Sequence, residues 1–214
     1  MTVKRLSLLI LTVGALLLSS LSALAQEEMT AEMLLDRLSE KLYFYGGTRF
    51  DYHLVYDNKM EHDGTVIQKG KKAYYTNSTT QSWDNGTTRW VYTPSLNTVT
   101  VAHSQQEPQN TGGDEAFGYL RVVEALTMES ELSLKDKSDC YLLTVRPAKA
   151  SPYQQILKVE IAVDKTTFYP KEIEVRIRTF IIRYTIKNFQ CGNFDDSVFE
   201  FKQVEHPGVI VQKE

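Results

Sequence analysis

Residues able to do covalent or proton chemistry are few in this 214-residue chain, and their spacing does not suit it. Asp195 and Asp196 are adjacent carboxylates, the kind of pair general acid–base catalysis uses. They fall in a turn ahead of the last aromatic run, where an aspartate accepts backbone hydrogen bonds and stabilises the turn. His53, His62, His103 and His206 are scattered, without metal-ligand spacing. Gly-x-Ser-x-Gly and His-Glu-x-x-His are both absent. Cys140 and Cys191 are the only thiols. In an oxidising compartment an even pair invites a disulfide, worth about 4 kcal/mol for so long a loop. Bridge geometry is not written in sequence, so a bridge and two free thiols both stand. The chain thus offers no catalytic residue, no metal site and no cofactor site. What its residues can do is bury apolar matter.

The N-terminus bears on where this happens. Lys4 and Arg5 precede an apolar run, Leu6 to Leu21, and Ala23-Leu24-Ala25 is a small-x-small cleavage site before Gln26. This predicts a secretory signal over residues 1–25 and one domain over residues 26–214. The competing reading, a retained anchor, needs an apolar span of about 20 residues. Cleavage would leave 189 of the 214 residues and take the net charge from −3 to −5, because Lys4 and Arg5 leave with the signal. An acidic surface argues against nucleic acid as a partner.

The elements follow from periodicity. Leu34, Leu35, Leu38, Leu42 and Tyr45 recur at helical spacing after Thr30 and before Gly46-Gly47, which predicts an amphipathic helix. The period then drops to two. Phe50, Tyr52, Leu54 and Tyr56 alternate with polar residues, and Asp63-Gly64 predicts a hairpin turn. Further strands are expected at Lys72–Thr76, Gln81–Asp84, Thr88–Thr93 and Asn97–Ala102, with Asn85-Gly86 and Pro94-Ser95 as turns. A polar loop from His103 to Asp114 leads to a second amphipathic helix over Glu115–Thr127, carrying Phe117 and Leu120. Strands then recur at Cys140–Arg146, Ile156–Asp164, Glu172–Arg178 and Phe180–Asn188. Val198–Lys202 closes the set, ahead of a Pro207-Gly208 turn and a short β-branched run that can pair again. In Ile156–Asp164, Leu157, Val159, Ile161 and Val163 are expected on one face.

About ten sequential strands and two helices, without βαβ alternation, predict an α+β, mainly β fold. Its core is a single strongly curved antiparallel sheet, an unclosed, half-open β-barrel covered by amphipathic helices forming a lid. The alternation puts Phe50, Tyr52, Leu54, Tyr56, Trp90 (or its neighbour Val91), Tyr92, Ile182, Tyr184, Phe199 and Phe201 inside. Leu38, Leu42, Phe117 and Leu120 would face them from the helices. Such a lidded apolar concavity is a natural ligand site, although a filled core satisfies the same alternation.

Asp84-Asn-Gly86, then Trp90-Val-Tyr92-Thr-Pro94 and Asn97-Thr-Val99, and finally Phe199-Glu-Phe201 with Pro207-Gly208-Val209, occur here in the order seen in the LolA family. With the signal and the N-terminal helix, the chain resembles these periplasmic carriers of outer-membrane lipoproteins over nearly all of its mature length. The resemblance implies a hydrophobic cavity for lipoprotein acyl chains, loaded by an inner-membrane ABC transporter and emptied to an outer-membrane acceptor. It implies a soluble monomer in a Gram-negative periplasm. A lipid- or lipoprotein-sensing regulatory domain on the same scaffold is the alternative. One stretch departs from the family. Where an arginine-proline segment helps latch the lid, this chain reads Gly70-Lys71-Lys72-Ala73, leaving Lys71 and Lys72 as possible latches.

Overall fold

Nine residues of near-strict alternation, Thr48–Tyr56, form strand β1, with Thr48, Phe50, Tyr52 and Leu54 buried. The computed structural model describes residues 28–104, 130–148 and 155–213. The expected signal, the polar loop beyond Ser104 and the second helix with Phe117 and Leu120 lie outside them. The chain divides into two units, Met1–Thr30 and Ala31–Glu214.

Among the described residues the second unit carries helix α1 (Ala31–Leu42) and twelve strands. Leu34, Leu38 and Leu42 recur at four-residue steps, so one stripe of α1 is buried. That stripe packs on strands β7 (Ser130–Asp136) and β8 (Cys140–Pro147). No helix among the described residues is long and apolar enough to cross a membrane.

The remaining strands are β2 (Met60–Lys69), β3 (Lys72–Asn77), β4 (Gln81–Asp84), β5 (Thr88–Thr93), β6 (Thr98–His103), β9 (Ile156–Asp164), β10 (Pro170–Ile177), β11 (Ile181–Cys191) and β12 (Ile210–Lys213). They form one sheet in the order β12-β6-β5-β4-β3-β2-β1-β11-β10-β9-β8-β7. Two antiparallel meanders therefore run outward from the β1–β11 pair. The terminal strands β12 and β7 do not pair with each other, so the barrel is unclosed. The β-branched run after Pro207-Gly208 does pair again, in parallel with β6.

Several local expectations change. Asp63 and Gly64 lie inside β2, and the hairpin turn is at Asp57 and Asn58, whose φ values are 49° and 55°. Gly64 is needed for another reason. It pairs with Tyr52, and a Cβ there would lie 2.3 Å from the Tyr52 hydroxyl. Val198–Lys202 is not a strand. Asp195 accepts from the Ser197 N–H and starts a 3-10 turn at Asp196–Phe199. Leu157 is exposed, because the β9–β10 register shifts between Arg176 and Ile177 and leaves Ile156 as the buried neighbour.

Of the bridge and the two free thiols that the sequence leaves open, the structure has the free thiols. Cys140 starts β8 and Cys191 ends β11, three strand spacings apart in the sheet order. At about 4.8 Å per spacing this is roughly 14 Å, about twice the Cα separation a bridge tolerates. Burial pushes the Cys191 thiol up, against the lowering effect of Lys41 and Tyr169.

Candidate ligand-binding face

Cross-strand partners share a face, so the register decides which side chains converge. From Phe50 the ladder runs through Val66, Tyr75 and Ser82 to Val91. From Leu54 it runs the other way, through Tyr184, Ile173 and Ile161 to Leu143. Phe50, Tyr52, Leu54, Val66, Tyr75, Tyr184, Ile173, Ile161 and Leu143 are all buried. Tyr56 and Ile182 oppose each other on the same face and are half-buried.

Three phenols meet at the centre of this face. The Tyr52 ring stacks on Tyr75 at 6.0 Å and meets Tyr184 edge-on at 6.1 Å. Offset and edge-on packing suits ring quadrupoles. Asn77 Nδ2 donates to the Tyr75 hydroxyl at 2.7 Å. The result is an apolar wall in which Asn77 fixes the Tyr75 hydroxyl. Tyr75 and Val66 belong to it but are hard to single out from sequence, because adjacent Tyr74 and Tyr75 give both phases of β3 an aromatic.

Trp90, Tyr92 and Phe201 do not join this face. Val91 is in phase with Phe50, so Trp90 and Tyr92 project from the opposite side, where Trp90 pairs with Trp83. There the C-terminal segment covers β3 and β4. Phe201 meets Trp83 edge-on at 5.3 Å, and His206 lies 4.4 Å from Tyr92 and 5.0 Å from Phe201. Phe199, fully buried, sits in the turn that docks on β3 and β4.

Lys72 binds this C-terminal segment. Its Nζ donates to Asp196 at 2.7 Å, while Lys69 donates to Asp196 at 3.0 Å and to the Phe194 carbonyl at 2.8 Å. Lys71 is exposed. Hydrogen bonds from Lys72, then Lys69, hold the Asp196 carboxyl below its ordinary value. A depressed carboxylate contributes above its unfolded pKa, about 4, and that contribution fades as pH falls through the lower folded value. Amide exchange should therefore show the segment around Asp196–Phe199 loosening below about pH 4 ahead of the sheet, and Lys72→Ala should remove part of that acid response.

The Phe50 face turns polar toward β4 and β5. Asp84 pairs with Arg89 across the strands, and their side chains are only 10% and 8% exposed. Arg89 Nε donates to Asp84 Oδ2 at 3.2 Å, and Ser104 Oγ donates to the same oxygen at 2.9 Å. Gly86 N–H satisfies Oδ1, and Arg89 Nη2 donates to the Ser104 carbonyl. This buried pair escapes sequence reasoning, which places Asp84 at the end of one strand and Arg89 in the next without pairing their side chains.

No catalytic grouping emerges among the described residues. Asp195 caps a turn and Asp196 binds two lysines. His53 lies on the side away from Phe50, 3.0 Å from Asp63. Among the described residues no group of three or more His, Cys, Asp or Glu could hold a metal.

No family model matches the chain, and no curated protein does. Solved structures do. An uncharacterised conserved protein from Thermus thermophilus is similar over 86% of this chain and 99% of its own, with 11% identity and a TM-score of 0.55. A LolA superfamily protein from Nitrosomonas europaea is similar over 81% of this chain and 98% of its own, with 12% identity and a TM-score of 0.39. The MucA/MucB complex from Pseudomonas aeruginosa contains a chain similar over 80% of this chain and 61% of its own, with 11% identity and a TM-score of 0.43. The Thermus likeness is strong enough to speak for a shared fold, and at this identity it speaks for the fold alone.

Proposed function

We propose that this chain is an exported, LolA-like carrier. Its Phe50 face would hold the acyl chains of lipoproteins and shuttle them through a periplasm from inner to outer membrane. The observation that carries the proposal is the pair of register ladders meeting at Tyr52, Tyr75 and Tyr184. They make an apolar wall from β3 through β1 to β8 of an unclosed sheet, bounded by the polar stretch at β4 and β5. Leu38 and Leu42 add to it from α1. An acyl chain left in water costs on the order of 10 kcal/mol, at about 0.8 kcal/mol per methylene, so a lipidated protein needs a sleeve to cross an aqueous space.

The residues suit holding and releasing. Aromatic rings give large contact areas with few rotatable bonds, and the phenol hydroxyls keep the wall from being uniformly greasy. Residues 1–25 serve as the export signal in this reading, and the domain works as a monomer. A membrane transporter would load it and an outer-membrane acceptor would empty it. Saturable uptake of a fluorescent fatty-acyl probe, followed by its transfer to an acceptor membrane, is the expected behaviour. A stable complex with one membrane protein and no cargo release would point to a regulator instead.

A further inference from the structure

Between α1 and β1 the chain reads Lys41-Leu-Tyr43-Phe44-Tyr45-Gly46-Gly47-Thr-Arg49. Tyr45 is 87% exposed and Tyr43 47% exposed. An exposed aromatic on a loose loop would need no account, but this turn is fixed. Gly47 N–H donates to the Phe44 carbonyl at 2.8 Å, closing it. Gly192 N–H donates to the Gly47 carbonyl and Phe194 N–H to the Gly46 carbonyl, each at 3.1 Å, which ties it to the chain leaving β11. A Cβ at Gly46 would lie 2.4 Å from the Gly192 carbonyl oxygen, so the two backbones are in direct contact. The Phe44 and Tyr45 rings touch at 4.6 Å. The sheet therefore holds the Tyr45 phenol out in water, with Tyr43 half-exposed beside it, on a rigid knuckle.

We propose that this knuckle is a membrane-contact site whose occupant is the headgroup interface of a neutral phospholipid surface. Tyrosine suits that interface, because its ring prefers the apolar side and its hydroxyl the wet side. The charge nearby fits a phosphate. Lys41 and Arg49 flank the aromatic run in sequence, and since Arg49 is paired with Asp51 at 3.3 Å, Lys41 is the cation that serves. A cation beside exposed aromatics is the pattern of interfacial anchors. The net negative charge disfavours strongly anionic surfaces and leaves the zwitterionic ones. This site goes beyond the carrier function and does not depend on what the Phe50 face holds.

Replacing Tyr45 by Trp places a reporter at the knuckle, and replacing Val204 by Trp gives a control that is also 87% exposed. The emission of Trp83 and Trp90 is subtracted using the unsubstituted protein. With phosphatidylcholine vesicles brominated on their acyl chains, the added emission of the Tyr45→Trp protein should shift to the blue and be quenched several-fold more than that of Val204→Trp. Emission from Tyr45→Trp that stays water-like with vesicles, or equal quenching of the two proteins, would overturn the proposal. Because the vesicles carry no lipoprotein and the signal is specific to one residue, a failure here is distinct from a failure of acyl-probe uptake.

Discussion

Replacing Arg89 by Met should lower the unfolding free energy by about 3–5 kcal/mol, a large share of a small domain's stability. The change removes one partner of a pair that is almost fully out of water. Asp84 would keep the Gly86 N–H and the Ser104 hydroxyl, but no cation. An uncompensated buried carboxylate is costly, whereas a buried pair is itself worth little against apolar residues of similar volume. The double replacement, Asp84→Leu with Arg89→Met, should therefore recover most of the loss. Urea unfolding measures both, as a shift of midpoint at constant slope. Additive losses from the two changes would show that Asp84 and Arg89 do not act as a pair.

Phe199→Ala should cost a comparable amount, about 3–5 kcal/mol, for a different reason. The phenyl ring is fully buried in the turn that docks on β3 and β4, and deleting it leaves a cavity as well as losing its transfer energy. The segment is held from both sides of this ring. Lys69 and Lys72 grip Asp196, and Phe201 lies against Trp83. The loss should appear in urea unfolding, while acyl-probe binding per folded molecule stays unchanged, because the turn covers the face opposite Phe50. If Phe199 were instead a barrel stave facing the ligand, probe affinity would fall with little change in the unfolding midpoint.

Phe199 and Phe201 also show where sequence is legible. Two apart, they read equally as a strand. Only the Asp195 side chain, accepting from Ser197 N–H, turns the run into a 3-10 turn. β1 is legible throughout, since Phe50, Tyr52 and Leu54 mark one phase and that phase is the buried one. β5 is legible as a strand over Thr88–Thr93 but not in its facing, because Trp90, Val91 and Tyr92 put apolar groups in both phases. Its facing is set by the distant register from Phe50 through Tyr75. Asp63-Gly64 has the composition of a turn, yet its glycine exists to admit Tyr52. β7 is not legible because Leu132 and Leu134 are too few to mark a strand alone, and it forms by pairing with β8. The helix α1 is plain from its leucine spacing. Its place on β7 and β8 comes from packing, which periodicity does not encode.

Whether the Phe50 face takes an acyl chain is tested most directly by titrating the protein with a fluorescent fatty-acyl probe. The comparison is between Tyr184→Ala, which cuts the phenol cluster, and His53→Ala on the other side of the sheet. A carrier face predicts saturable binding that Tyr184→Ala weakens about tenfold or more, as expected for loss of over ~1.4 kcal/mol of apolar contact, and that His53→Ala leaves intact. Absence of saturable binding by the folded protein, or equal effects from the two replacements, would contradict it.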